Sequence, residues 1–265
     1  MNNDDKILPI RRGLGDGGSV ERRLMNEALA RLGPVDLNIG AGRAGRLIFG
    51  LDLTGSRAQS LKRARIATAA MFDTIKTMGK LAVKLIYFRG ANELRASAWH
   101  DDPAVLSESM RQLSCRTGET QIARLLRAVL AETERISGVV FVGDHCEDDP
   151  GEVVALAESL GKRSMPLFLF HEIADHDGRS LEARPVFERM AEVSGGVYVE
   201  FRPDSGAVLH EMLANVAALA AAGLEGVKQV ALIKTPEARQ LQTRLLLAAP
   251  ERNKGGLLGP GRREV

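Results

Sequence analysis

The chain predicts an α/β fold, a doubly wound and mostly parallel β-sheet with helices on both faces. Three observations point there. Continuous apolar runs such as Leu47-Ile48-Phe49-Gly50-Leu51 and Gly138–Gly143 (GVVFVG) read as strands buried on both sides. Segments with apolar residues at helical spacing alternate with those runs, the signature of βαβ units. Finally, 45% apolar and 26% charged residues over 265 positions suffice for a core, which excludes a disordered or low-complexity chain.

Residues 1–45 read as an N-terminal extension. Ser19 is a good N-cap for one short helix over 19–32, with Met25, Leu29 and Leu32 on one face and Gly33-Pro34 closing it. The regular pattern fills a domain over 46–222. Its first strand, 47–51, leads to a helix over 59–78 with Leu61, Ile66, Ala69, Phe72 and Ile75 inward. A strand follows at 81–88, a short edge strand at 94–99, and helices at 103–113 and 121–133. Then come a strand at 138–143, a helix at 152–160, a strand at 165–170, a helix at 186–193, a strand at 196–201 and an Ala-rich helix at 208–222. The remainder, 223–265, reads as a C-terminal extension: an amphipathic helix over 236–247, too short to be stable alone and so docked on something, then a mobile tail at 253–265.

Composition limits the function classes. There are 36 basic and 34 acidic residues, a net charge of +2, which argues against a dedicated nucleic-acid binder. Two cysteines cannot form a disulfide framework. The longest apolar stretch, 212–224, is too short for a bilayer, and the polar start MNNDDK lacks a signal-peptide core, so no membrane partner and a cytoplasmic location are expected. Gly40 to Gly45 (GAGRAG) matches G-x-G-x-x-G as a string, but a strand follows where the phosphate-binding mechanism needs a helix, so a linker is expected.

In an open parallel sheet, chemistry belongs beyond the carboxyl ends of the strands. There the chain places Asp52-x-Thr54-x-Ser56 after the first strand, Thr117-Gly118-Glu119-Thr120 before the helix at 121, and Gly143-Asp144 after the strand at 138–143. Carboxylates and hydroxyls are hard oxygen ligands of the sort Mg²⁺ takes, and one octahedral ion could collect them from all three loops. Cys115, Cys146 and His145 raise a soft zinc site as an alternative, but no second ligand pair has zinc spacing, and two unpaired thiols are the expectation. Glu147-Asp148-Asp149 is expected to cap the next helix and make the rim acidic. His171 and Asp175 are expected as rim residues on the loop after 165–170, and Trp99 as a core residue.

These three segments resemble the von Willebrand factor A domain and its metal-ion-dependent adhesion site: D-x-S-x-S, then a Thr, then an Asp. The matching positions are Asp52, Thr54 and Ser56, then Thr120, then Asp144, with Thr117 a rival to Thr120. Thr54 stands where the family usually has Ser, Glu119 interrupts the common Gly-Gly-Thr, and Gly143-Asp144-His145 replaces Thr-Asp-Gly. The resemblance implies a Rossmann-like fold and Mg²⁺, or Mn²⁺, held by Asp52, Thr54, Ser56, Thr120 and Asp144. Thr117, Glu119, His145, His171 and Asp175 would form the rim. It also implies a protein-binding module rather than an enzyme. The ion's open position would take an Asp or Glu of a partner protein, with an AAA+ ATPase as one partner class.

Two other functions compete. A metal-dependent phosphohydrolase could use Asp52 as nucleophile, but haloacid-dehalogenase-like enzymes need an acid/base Asp two positions later, where this chain has Thr54. A metal-independent scaffold would bind through its termini.

Overall fold

The computed structural model describes residues 45–58, 61, 80–173, 178–202, 205–230 and 233–247. The helix expected at 19–32, Asp175 of the expected rim and the tail at 253–265 lie outside them. So does most of the helix expected at 59–78, of which Leu61 is helical and buried.

Six strands form one sheet: β1 (Gly45–Asp52), β2 (Leu81–Arg89), β3 (Glu93–Ala96), β4 (Gly138–Gly143), β5 (Leu167–Glu172) and β6 (Tyr198–Phe201). Their order is β3-β2-β1-β4-β5-β6, and every pair is parallel except the β2–β3 hairpin. The strands grow outwards from β1, first to β2 and then, on its other side, to β4. The connection direction therefore reverses between β1 and β4, and the crevice of an open α/β sheet opens at that reversal.

Helices cover both faces, as the continuous apolar strands require. One core gathers Leu47, Phe49 and Leu51 of β1 with α1 (Pro103–Arg111), α5 (Gly206–Gln229) and α6 (Pro236–Leu247). The other gathers Ile48 of β1 and Phe141 of β4 with α2 (Ile122–Leu130), α3 (Pro150–Lys162) and α4 (Gly178–Ser194). Alternate residues of one strand thus serve opposite cores. Trp99 is half-buried at the edge of the second core, with Lys84 and Arg46 over its ring at 5.6 and 6.0 Å.

Several elements differ from the expected bounds, among them β3, which ends at Ala96, and β6, which starts at Tyr198; three of the departures have visible local causes. Strand β5 begins and ends two residues later than 165–170. The Met165 amide still bonds the Leu160 carbonyl at the end of α3, and Pro166 has no amide to give. His171 and Glu172, expected on a loop, are therefore buried strand residues paired with Glu200 and Phe201. Helix α4 starts at Gly178 rather than 186. Pro185 inside it reads as a breaker in sequence, but Ser180 donating to the Glu172 carbonyl (3.0 Å) and buried Ala183 anchor the early turns.

Helix α5 runs on to Gln229 rather than stopping at 222. The whole helix, unlike the stretch 212–224 alone, is by length and composition apolar enough to cross a membrane, but 72% of its most apolar window is buried inside the protein. Gly223 breaks it, at φ 64° and ψ −153°. The segment beyond turns back, so that Gln242 on α6 donates to the Val227 carbonyl (2.9 Å) and Ala238, Leu241 and Leu245 join the core. Only glycine adopts that backbone region without strain. Gly223→Ala should lower unfolding free energy by about 1–3 kcal/mol in urea denaturation; an unchanged midpoint would show that the break is not needed.

Candidate metal centre

Asp52 is the last residue of β1 and is 1% exposed. Its Oδ1 accepts the Thr54 amide at 2.7 Å, closing the chain into a tight turn, while its Oδ2 is buried without a hydrogen-bond partner. Thr54 is buried as well, and its hydroxyl lies 3.2 Å from that of exposed Ser56. The turn continues as a 3₁₀ segment, Gly55–Ala58. This sends the Arg57 side chain inward to a buried ion pair with Glu172 at the end of β5.

Asp144 follows β4, the neighbour of β1, and its Oδ1 is also buried without a hydrogen-bond partner. A methyl built on Gly143 would sit 3.7 Å from the Asp52 Cβ, so the two aspartates share one end of two adjacent strands. Burial, then the Asp144 charge, push the Asp52 carboxyl up to about 7; the Thr54 hydrogen bonds and Arg57 oppose this without cancelling it. Two carboxylates with one orphaned oxygen each, in a place that resists a second negative charge, form a donor set suited to a hard cation.

The second loop is held against the first by backbone. The Arg116 amide donates to the Leu53 carbonyl (3.0 Å), and the Gly90 amide donates to the Arg116 carbonyl (3.3 Å). A Cβ on Gly118 would fall 2.2 Å from the Gly90 carbonyl oxygen, so only glycine permits this approach. The arrangement brings Thr117 beside the first loop, its Oγ1 3.3 Å from where a Gly55 Cβ would stand.

Thr120 faces another group. Its hydroxyl donates to Asp148 Oδ2 (2.8 Å) and accepts the Glu147 amide (2.8 Å), and its own amide donates to Glu147 Oε2 (2.9 Å). Asp148 also accepts the Ile122 and Ala123 amides (2.9 and 3.0 Å), capping α2 from a different loop, and Asp149 caps α3 by accepting the Glu152 amide (2.8 Å). The acidic run is thus tied into helix ends and the Thr120 loop rather than lining an open rim. Exposed Glu119 stays on the loop surface.

The two histidines expected on the rim are buried. His145 Nδ1 lies 3.7 Å from Asp144 Oδ2, and His171, in β5, is fully buried. His171 Nε2 is 3.1 Å from the Asp144 carbonyl, which only accepts, so that nitrogen carries the proton. Burial holds the ring down to about 4 and hence neutral at physiological pH; Nδ1 lies 2.7 Å from the Tyr198 hydroxyl, which donates to Glu200 Oε1 at 2.8 Å. The Nε2–H bond to the carbonyl pins the backbone at Asp144. Sequence reasoning missed it, as it missed Arg57–Glu172, because both join residues more than 25 positions apart.

The soft-metal alternative does not fit the geometry. Cys115 packs on one core and Cys146 on the other, and burial pushes the Cys146 thiol up to about 12, so it stays protonated. Among the described residues, no three His, Cys, Asp or Glu gather as a metal-binding group. The carboxylates that converge are two, and the remaining candidate donors are hydroxyls.

The chain has the von Willebrand factor A fold. A von Willebrand factor type A protein from Catenulispora acidiphila matches with a TM-score of 0.53 at 16% identity, over 66% of this chain and 43% of that one. The pilus adhesin SpaC from Lactobacillus rhamnosus GG matches with a TM-score of 0.56 at 11% identity, over 67% and 30%. The von Willebrand domain of the pilus tip protein Mfa5 from Porphyromonas gingivalis matches with a TM-score of 0.50 at 10% identity, over 64% and 94%. This chain thus spans less than half of the first two proteins. No family model and no curated protein sequence matches it.

The bonding of Thr120 sets a test of its role. Thr120→Val removes a hydroxyl that donates once and accepts once, and should cost about 1–3 kcal/mol of stability in urea unfolding. A variant as stable as the parent would mean that this hydroxyl is free for other ligands.

Proposed function

We propose that the chain is a non-enzymatic protein-binding module that holds Mg²⁺, with Mn²⁺ as a substitute, at the carboxyl ends of β1 and β4. One observation carries this reading: Asp52 Oδ2 and Asp144 Oδ1 are both buried at one place with no hydrogen-bond partner. A divalent cation would relieve both orphans and offset the burial and the Asp144 charge that raise Asp52. Asp52, Asp144, Thr54 and Ser56 would hold it. Thr117 is the better-placed second-loop donor, since Thr120 is engaged with Asp148.

With two carboxylates and neutral hydroxyls, Mg²⁺ keeps water on its remaining positions. A partner's Asp or Glu can displace one of those waters and complete the ion's charge balance. That the fold is shared with a pilus adhesin fits binding rather than catalysis. Thr54 in place of a second aspartate gives a phosphohydrolase no acid/base group, and the AAA+ ATPase remains a partner class implied by family resemblance. The cytoplasmic location belongs to the same reading.

Isothermal calorimetry tests the metal. Mg²⁺ should bind the parent with one-to-one stoichiometry and bind Asp52→Asn at least about tenfold more weakly, the loss of one of two counter-charges. Equal affinity would remove Asp52 from the site.

The raised Asp52 carboxyl adds a pH signature. Its folded value, about 7, lies above the ordinary 3.8 of a free aspartate, so the folded state holds this proton longer than the unfolded chain does. Metal-free stability from this group is therefore fully present below about 4 and lost as pH rises through about 7, by roughly 2–4 kcal/mol. Asp52→Asn should flatten that slope in the metal-free protein, and saturating Mg²⁺ should do the same for the parent. A metal-free parent with no such decline would contradict the buried-repulsion account.

A further inference from the structure

Beside the candidate metal centre lies a groove of about 540 Å³ whose walls include Arg89, Glu93, Arg95, Arg116 and residues 90–92. It belongs to the β2–β3 hairpin and reaches the metal loops through Arg116, whose amide holds the Leu53 carbonyl one residue beyond Asp52.

The charges in the groove are unequally matched. Arg89 contacts both oxygens of Glu93 at 3.0 Å and also reaches the Ser114 carbonyl and hydroxyl at 3.0 and 3.1 Å. That fork occupies Arg89 and holds the Glu93 carboxyl below its usual range. Arg116 and Arg95 approach the same carboxylate with one long contact each, 3.3 and 3.5 Å, and their side chains are 62% and 69% exposed. Most of their N–H donors face water. Exposed Arg124 sits at the same hairpin, donating to the Asn92 carbonyl at 3.2 Å. One carboxylate thus balances one of three groove arginines, leaving two planar cations displayed in a concave surface. Glu119, the acidic residue of the neighbouring loop, is not part of its lining.

We propose that this groove binds an acidic peptide segment of a partner protein, its carboxylates forming paired hydrogen bonds with Arg95 and Arg116. The location rests on the metal-centre reading: a segment whose one carboxylate reaches the ion has its adjoining residues beside this groove. The chemistry rests on the arginines alone. Guanidinium forks match carboxylates two bonds at a time, and a concave cationic surface concentrates an anionic chain. The acidic run at 147–149 does not oppose this, because its carboxylates are engaged at helix ends and with Thr120.

The test uses the full chain and a short fluorescein-labelled poly-glutamate peptide, followed by anisotropy at low salt, with Mg²⁺ and with chelator. The peptide should bind the parent, more tightly with Mg²⁺. The double variant Arg95→Glu/Arg116→Glu should lose about tenfold or more in affinity while its Mg²⁺ affinity by calorimetry and its circular dichroism stay those of the parent. Equal peptide binding by parent and variant, or no binding by the parent, overturns the proposal. Stronger binding of labelled oligothymidylate than of poly-glutamate also overturns it, in favour of a nucleic-acid groove. If the parent gives no Mg²⁺ heat but the arginine-dependent binding stands with chelator present, the metal reading falls and the groove survives.

Discussion

Two aspartates lie buried at the carboxyl ends of neighbouring parallel strands, and that repulsive pairing sets the terms for everything around it. Asp52 sits where β1 ends and Asp144 where β4 ends, each with a carboxylate oxygen bonded to nothing. Burial and mutual repulsion make the doubly charged state unfavourable. A protein built only for stability would place hydrogen-bond donors there. Here the nearest buried cation, Arg57, is paired with Glu172, so it softens the repulsion without removing it. These two orphaned oxygens are the feature on which the proposed divalent cation rests.

The surrounding loops keep the pair in place without satisfying it. Gly118 lets the second loop lie on the β2–β3 turn, and Arg116 ties that loop to Leu53. Asp148 supplies the cap that α2 lacks from its own N-cap residue, joining the second and third loops through a helix terminus. His171 fixes the Asp144 backbone from the strand beside it. Each bond is made to a backbone or a neighbouring side chain, and the two carboxylate oxygens are left over. Such a frame is preorganised, so the proposed cation would need no loop ordering before it binds.

The fold was legible because its strands are buried on both faces. Gly138–Gly143 can be read from sequence to the residue, since six consecutive buried positions leave no other pattern. Boundaries failed where a tertiary contact overrode local signals: Pro185 inside α4, the delayed start of β5 after Pro166, and the continuation of α5 past Gly223. At the candidate site, Asp52 and Asp144 were legible because strand ends can be located and carboxylates there stand out. The engagement of Thr120 by Asp148 was not, since nothing local says which loop caps α2. Likewise His171, which sequence placed on the rim, belongs with Glu172 to the buried frame, and the cationic groove came from a hairpin that carried no motif.

The proposed divalent cation sits between Asp52 and Asp144. Its presence there is tested most directly by anomalous diffraction from crystals grown with Mn²⁺, which can stand in for Mg²⁺ at a hard-oxygen site. The account predicts one strong anomalous peak at the carboxyl ends of β1 and β4, with oxygens of Asp52, Asp144 and the first-loop hydroxyls around it, directly or through water. A map with no peak there at saturating Mn²⁺, or with the ion held elsewhere while both carboxylates keep their orphaned oxygens, would contradict it.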